Sequence, residues 1–237
     1  MSQVFRMYEP GNYVSGVTIA LSEENHHVVS RVLRKNTGDS IVLLNGNGQV
    51  AFAKLEINKK ISSATIENVQ EFGPLLPSVQ LWIGCLKGEK LHWVIQKSTE
   101  LGVCEIVLFQ SEHSIAVKTE GFIDKASKIA IEAIRQSGNP FLPKISYVKD
   151  LQKATWRSSD QHLNVVLDET ASTSFREVMK NHAHSSFSLF VGPEGGFSAN
   201  EREFFRSKQC CFIKIAPYIL RADTASVSAV SLFRASF

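Results

Sequence analysis

Near its C-terminus the chain reads Phe190-Val191-Gly192-Pro193-Glu194-Gly195-Gly196-Phe197-Ser198, and further on Ile219-Leu220-Arg221-Ala222-Asp223-Thr224-Ala225. In the first run an apolar strand ends in a loop of glycines, one proline and one carboxylate, and a helix opens at Ser198. Glycine allows a backbone to reach positive φ and approach a bound molecule, and proline removes freedom that binding would otherwise freeze. A phosphate-gripping loop needs a Gly-Lys-Ser/Thr ending, whereas here the glycines lead to Phe197 and surround Glu194. The spacing Gly192, Gly195, Gly196 also fails the dinucleotide fingerprint. A neutral or cationic ligand, such as an adenosyl sulfonium, suits the loop better than a polyphosphate. Ser198 and Glu201 form a Ser-x-x-Glu capping box, so this run taken alone is equally a tight turn with a good helix start. The second motif favours the ligand.

The elements that position these residues follow from periodicity. Val79 to Cys85 reads as a buried strand, and Leu91, Val94, Ile95, Ser98 and Leu101 fall at helical spacing before Gly102 stops the helix. Strands are expected at Glu105 to Phe109, Leu163 to Asp168, Ser188 to Val191 and Phe212 to Ile215. Helices are expected at Phe122 to Gln136, Ser174 to Asn181, Ala199 to Lys208 and from about Thr224. Such alternation predicts an α/β domain with a mostly parallel sheet. Ligands bind beyond the carboxyl ends of strands in such sheets, where Asp168-Glu169-Thr170, Gly192 to Gly196 and Ala216 to Arg221 would emerge.

Upstream the pattern differs. Ser40 to Leu44, Gln49 to Ile57 and Ile61 to Val69 are short strand-like runs, with Asn45-Gly46-Asn47-Gly48 as one hairpin turn and Lys59-Lys60 at the tip of the next. They predict a small β-barrel or curled sheet over residues 1–72. The breaker-rich Glu71 to Ser78 reads as a linker to the domain of residues 73–237.

The 237 residues are 43% hydrophobic, enough for a large core. No apolar run has the length of a membrane span and the start lacks a signal-peptide core, so a soluble cytoplasmic protein is expected. Cys85, Cys104, Cys210 and Cys211 have no metal-ligand spacing, and no metal is expected. Of the seven histidines, His26 and His27 read as helix or turn residues, and His92, His113, His162, His182 and His184 form no recognisable constellation. The net charge of +3, from 26 basic and 23 acidic side chains, neither demands nor excludes nucleic acid. Residues 1–72 hold seven basic and seven acidic groups, but Arg31, Arg34 and Lys35 cluster.

Several motifs occur together and in order: Arg6-Met7-Tyr8, Val32-Leu33-Arg34 with Gly38 and Asp39, Gln96 to Val103, Glu132-Ala133 with Gln136-Ser137-Gly138, Gly192 to Ser198 with Glu201, and Ile219-Leu220-Arg221 with Thr224-Ala225. In this combination the chain resembles the bacterial RsmE family over nearly its whole length. Members of that family, within the SPOUT superfamily, use S-adenosylmethionine to methylate N3 of a uridine in small-subunit (16S) ribosomal RNA.

The resemblance implies an N-terminal PUA-like RNA-binding barrel, a C-terminal α/β domain threaded into a trefoil knot, and a homodimer. It implies that the cofactor is held by Leu167, Asp168 and Glu169, by Gly192, Pro193, Glu194, Gly195 and Gly196, and by Ile215, Ala216, Tyr218 and Leu220. For the chemistry, Arg221 is the candidate to stabilise the anion left when N3 loses its proton, unless it simply pairs with Asp223 or Glu194. Glu194 would accept that proton or balance the sulfonium. A neighbouring cation would weaken it as a base, which favours orientation or backbone anchoring. Arg6, Arg31, Arg34 and Lys35 are the expected phosphate partners, with 16S rRNA or the small ribosomal subunit as substrate.

Some positions depart from the family pattern. His113 stands where arginine is usual, Arg135 replaces an acidic residue, Asn139-Pro140 occupies another arginine position, Ala216-Pro217-Tyr218 replaces a Leu-Gly-x sequence, and Asp223 replaces glutamate. Pro217 has no N–H to offer a cofactor. These departures sustain an alternative: an RNA-binding protein of the same fold that has lost methyl transfer.

Overall fold

The computed structural model of the protein describes residues 5–114, 120–157, 159–181 and 185–235. His182 and His184 lie outside the described residues. The chain divides into two compact units, Met1–Pro74 with Ile131–Leu142, and Leu75–Ala130 with Pro143–Phe237. The first therefore runs slightly past the expected boundary and recruits a later segment. Ile134 of that segment is buried with Val42, Leu44 and Val50, and Tyr8 and Leu142 pack at the margin. A contact this remote in sequence leaves no local pattern.

In the first unit, β1 (Arg6–Tyr8), β2 (Thr18–Ala20), β3 (Ser40–Leu44), β4 (Gln49–Ile57) and β5 (Ser62–Glu71) form a sheet in the order β1-β3-β4-β5-β2. β3, β4 and β5 make an antiparallel meander, and β1 joins β3 in parallel. The first reversal is held by Asn45, whose Oδ1 accepts from the N–H groups of Asn47 and Gln49 at 2.8 and 2.9 Å. Alternate residues of β4, namely Ala51, Ala53 and Leu55, face a core with Met7, Ile41, Leu43 and Ile66, the period-two pattern of a half-buried strand. A short helix α1 (Glu23–His27), capped by Ser22, continues into a π-helical turn at Val28–Val32.

The second unit is a six-stranded, wholly parallel sheet of β6 (Ser78–Gly84), β7 (Glu105–Phe109), β8 (Lys144–Val148), β9 (His162–Leu167), β10 (Ser186–Val191) and β11 (Cys211–Ile213), in the order β11-β9-β10-β6-β7-β8. Its helices are α2 (Glu89–Glu100), α3 (Glu120–Ser137), α4 (Phe175–Asn181), α5 (Ala199–Ser207) and α6 (Ala222–Ala235). The end of α3, from Ile131, groups with the first unit. β6, β7 and β10 are nearly continuous buried apolar runs, as strands covered on both faces must be. One face carries an aromatic cluster of Trp82, Phe109, Phe190, Phe197 and Phe205.

The strands β1, β2 and β8 have no counterpart in the sequence reading. The first two span three residues each, and β8 is a half-buried edge strand whose Lys-Ile-Ser-Tyr-Val lacks a strong period. β11 ends at Ile213 rather than Ile215, and α6 starts at Ala222 rather than Thr224. Both shifts place Ile215 to Arg221 in one irregular loop.

Candidate functional site

The carboxyl ends of β9, β10 and β11 open onto one cavity of about 370 Å³, within the range of roughly 300–1,000 Å³ usual for small-molecule sites. Leu167, Asp168 and Glu169 contribute from the end of β9, and Gly192, Pro193, Glu194, Gly195 and Gly196 from the loop after β10. Ile215, Ala216, Tyr218, Leu220 and Arg221 line it from the loop after β11. The structure thus gathers every residue that the sequence assigns to a cofactor, together with Arg221, around a single space.

Pro217 does not line it, so its missing N–H falls outside the wall. Tyr218 is 82% exposed and does not plug the cavity.

The glycine-rich loop is shaped by close approach. A Cβ on Gly84, at the end of β6, would lie 2.7 Å from both Cδ and N of Pro193, so only glycine lets that strand pass beneath the loop. Gly196 has φ of +68° and open space where a side chain would project, a conformation costly for other residues. Ser198 then caps α5 in a full capping box with Glu201. The buried Glu201 carboxylate also accepts from the Ser111 hydroxyl at 3.0 Å and the Glu112 N–H at 3.2 Å. His113 Nδ1 lies 3.1 and 3.2 Å from the carbonyl oxygens of Gly195 and Gly196. Since carbonyls only accept, Nδ1 is the donor. The loop after β7 therefore clamps the loop after β10.

Charge is distributed with equal specificity. Lys90, in the first turn of α2, lies 3.3 Å from Glu194 Oε1. Burial pushes the Glu194 carboxyl up, but hydrogen bonds from its own main chain, Lys90 and Lys87 outweigh this and hold it below the usual range. Glu194 is thus ionised and a weak base. Asp168 receives Arg202 Nε at 2.6 Å and both the N–H and hydroxyl of Thr170, at 2.8 and 2.5 Å. Burial raises its pKa, and these hydrogen bonds more than offset that, so the net shift is downward. Its side chain is committed to holding its own loop. Glu169 completes the pair with Arg202 at 3.3 Å.

Arg221 is exposed on the cavity wall and makes no ion pair among the described residues. Glu194 is taken by Lys90, and Asp223 Oδ1 accepts from the Thr224 N–H.

Lys90, Ser111, Glu112 and Arg202 were not legible as parts of the site, because each reaches it across a long stretch of chain. Only the Ser198 and Glu201 spacing announced one partner.

An adenosyl sulfonium fits this wall. Val191, Phe197, Ile213 and Leu220 offer apolar surface to a flat ring, and Asp168, Glu169 and Glu194 put three carboxylates on the wall, each already paired with a protein partner. Among the described residues no group of three or more His, Cys, Asp or Glu side chains is placed to hold a metal ion.

Residues 74–234 match the family model of an RNA methyltransferase domain, and residues 23–67 that of an RNA methyltransferase PUA domain. The ribosomal RNA small subunit methyltransferase E of Bacillus subtilis is 34% identical over 221 residues, covering 88% of this chain and 86% of its own. The chain belongs to the ribosomal RNA small subunit methyltransferase E family. A second relative within methyltransferase E, from Borreliella burgdorferi, is 29% identical over 218 residues, covering 89% and 87%. A protein of Legionella pneumophila solved with its cofactor SAM superposes with a TM-score of 0.86 at 28% identity over 98% of both chains. The methyltransferase E of Neisseria gonorrhoeae, solved with S-adenosyl methionine, gives 0.90 at 24% identity over 98% of both chains, a likeness of fold.

In this methyltransferase E family member, the basic residues singled out from the sequence lie in the first unit. Arg31, Arg34 and Lys35 share the π-helical turn and the residues after it. Arg34 has φ of +50°, and Lys35 stands 4.0 Å from Asp39. Arg6 is exposed on β1, its guanidinium over Gly138.

Proposed function

We propose that this chain transfers a methyl group from S-adenosylmethionine to N3 of a uridine in small-subunit (16S) ribosomal RNA. The observation that carries this reading is the convergence of three loops, from β9, β10 and β11, on one open cavity in a member of the methyltransferase E family.

The bound sulfonium supplies an already activated methyl group. The protein's task is therefore alignment and exclusion of water. Main-chain groups of Leu167 to Glu169, Gly192 to Gly196 and Ile215 to Leu220 orient the donor. Glu194, kept ionised beside Lys90, balances positive charge rather than taking the proton. Arg221 donates to the uracil oxygens that share the negative charge once N3 has released its proton to solvent water. Because N3 is hidden in a base pair, the uridine must be unpaired or flipped when it enters.

Arg6, Arg31, Arg34 and Lys35 hold RNA phosphates from a PUA-like barrel, whose span of residues 23–67 matches a PUA model. The α/β unit carries the SPOUT trefoil knot and works as a homodimer whose second copy completes the site. Tyr218 and Ile219, both 82% exposed beside the cavity, support such a partner. No helix among the described residues is long and apolar enough to cross a membrane, and we place the enzyme in the cytoplasm, with its ribosomal substrate.

Titration calorimetry with S-adenosylmethionine tests the reading at its first step. Saturable binding with one site per chain is expected, and its absence in a folded protein would leave an RNA-binding scaffold.

A further inference from the structure

His113 is an exposed residue that holds the glycine-rich loop at two points. It stands third in a turn that the Ser114 N–H closes on the Ser111 carbonyl at 3.0 Å. The Ser111 hydroxyl and the Glu112 N–H fasten that turn to the buried Glu201 carboxylate, so the imidazole is carried on a fixed base. A Cβ on Gly195 would come within 2.9 Å of His113 Cβ, and the glycine there is what lets the side chain sit against the loop.

The single Nδ1–H is shared between the carbonyl oxygens of Gly195 and Gly196, at 3.1 and 3.2 Å. Two consecutive carbonyls are thereby drawn to one point, which the left-handed φ of +68° at Gly196 permits. His113 does not line the cofactor cavity, whereas Gly195, Gly196 and Phe197 do. In a trans peptide the N–H points opposite to the carbonyl of the same unit. Drawing the Gly195 carbonyl to His113 turns the Gly196 N–H back into the loop, where the Pro193 carbonyl accepts it at 2.9 Å. Drawing the Gly196 carbonyl the same way turns the Phe197 N–H away from His113, and that N–H meets no acceptor among the described residues. Phe197 is only 3% exposed. A buried main-chain N–H without a partner is rare, and this one belongs to a residue on the cavity wall.

We infer that His113 is a positioning residue for the methyl donor: it fixes the Gly196–Phe197 peptide so that the Phe197 N–H stays free to donate to an acceptor atom of bound S-adenosylmethionine. The role requires a proton on Nδ1, so in the neutral ring Nε2 carries none. It rests on S-adenosylmethionine being the ligand of this cavity.

The test is calorimetry with S-adenosylmethionine on the wild type, H113A, H113N and H113Q, beside hydrogen exchange of the Phe197 amide. Asparagine can place an amide N–H near the position of Nδ1–H, and glutamine, one methylene longer, places it near Nε2. H113A and H113Q should therefore bind roughly tenfold more weakly than wild type, the worth of about one good hydrogen bond, and H113N within about threefold of it. H113N and H113Q should melt at the same temperature, so that a difference in affinity between them is not one of folding. Exchange of the Phe197 amide should slow on saturation with S-adenosylmethionine in the wild type and respond far less in H113A. Long-range nitrogen spectra of the free protein should show the neutral His113 ring protonated on Nδ1. Wild-type affinity in H113A, H113N binding no better than H113Q, a Phe197 amide indifferent to the cofactor, or a ring protonated on Nε2 overturns the role of His113 alone. A wild type that binds no S-adenosylmethionine contradicts the methyl-transfer function first, and the role of His113 falls with it.

Discussion

Ser111, just beyond β7, donates its hydroxyl to Glu201 at 3.0 Å, and the same buried carboxylate closes the capping box of α5. One side chain thus ties the loop after β7 to the start of α5, where the glycine-rich loop ends.

Replacing Glu201 by alanine should therefore cost more than a surface cap. The Ser198 and Glu112 N–H groups and the Ser111 hydroxyl all lose their acceptor, and about 2–3 kcal/mol of stability is expected to go with them. Urea unfolding of E201A, S111A and the double variant measures this. Strictly additive losses would contradict a shared network.

Gly84→Ala should disturb the cofactor loop while leaving the sheet paired. Its Cβ would stand 2.7 Å from Pro193, an overpacking of about 1–3 kcal/mol that the loop relieves by moving. Calorimetry should show weakened S-adenosylmethionine binding in a folded protein. Wild-type affinity would mean that the loop shifts without consequence for the cavity.

Arg221→Ala is expected to bind S-adenosylmethionine normally and to lose about 10²–10³-fold in turnover, the usual scale for removing one oxyanion donor. Turnover close to wild type would take Arg221 out of the mechanism.

Asp168 ties stability to pH. Its carboxyl is held below its ordinary value by Thr170 and Arg202 against the opposing effect of burial. A group whose folded pKa is depressed stabilises the fold above its unfolded value and loses that contribution as pH falls through the folded one. The wild type should therefore lose stability on acidification below about pH 4, where an unfolded aspartate protonates. D168N should lack that component, being less stable at neutral pH and converging with the wild type in acid. Parallel curves of melting temperature against pH would rule out this role.

Much of this architecture could be read from the chain, and the reasons differ by element. β3, β4 and β7 have the bounds their apolar patterns predict, because burial on one or both faces writes a strong period. The cavity was legible because glycines, a proline and a capping box cluster locally at the tip of β10. What escaped was set by distance in sequence or by weak pattern. Lys90 meets Glu194 104 residues further along the chain, Ile134 of α3 is buried with Val42, Leu44 and Val50, and β8 is an edge strand with too little burial to show. Arg202 looks like a solvated helix residue until Asp168 is placed beside it.

The central claim is that the three loops present a methyl donor to N3 of a ribosomal uridine. Its most direct test is nucleoside mass spectrometry of 16S rRNA, taken from small subunits that lack the modification and incubated with the protein and S-adenosylmethionine. 3-Methyluridine is the expected product, formed by the wild type and nearly lost with R221A. Methylation at a ring carbon or a ribose oxygen, or no methylation despite cofactor binding, would contradict it.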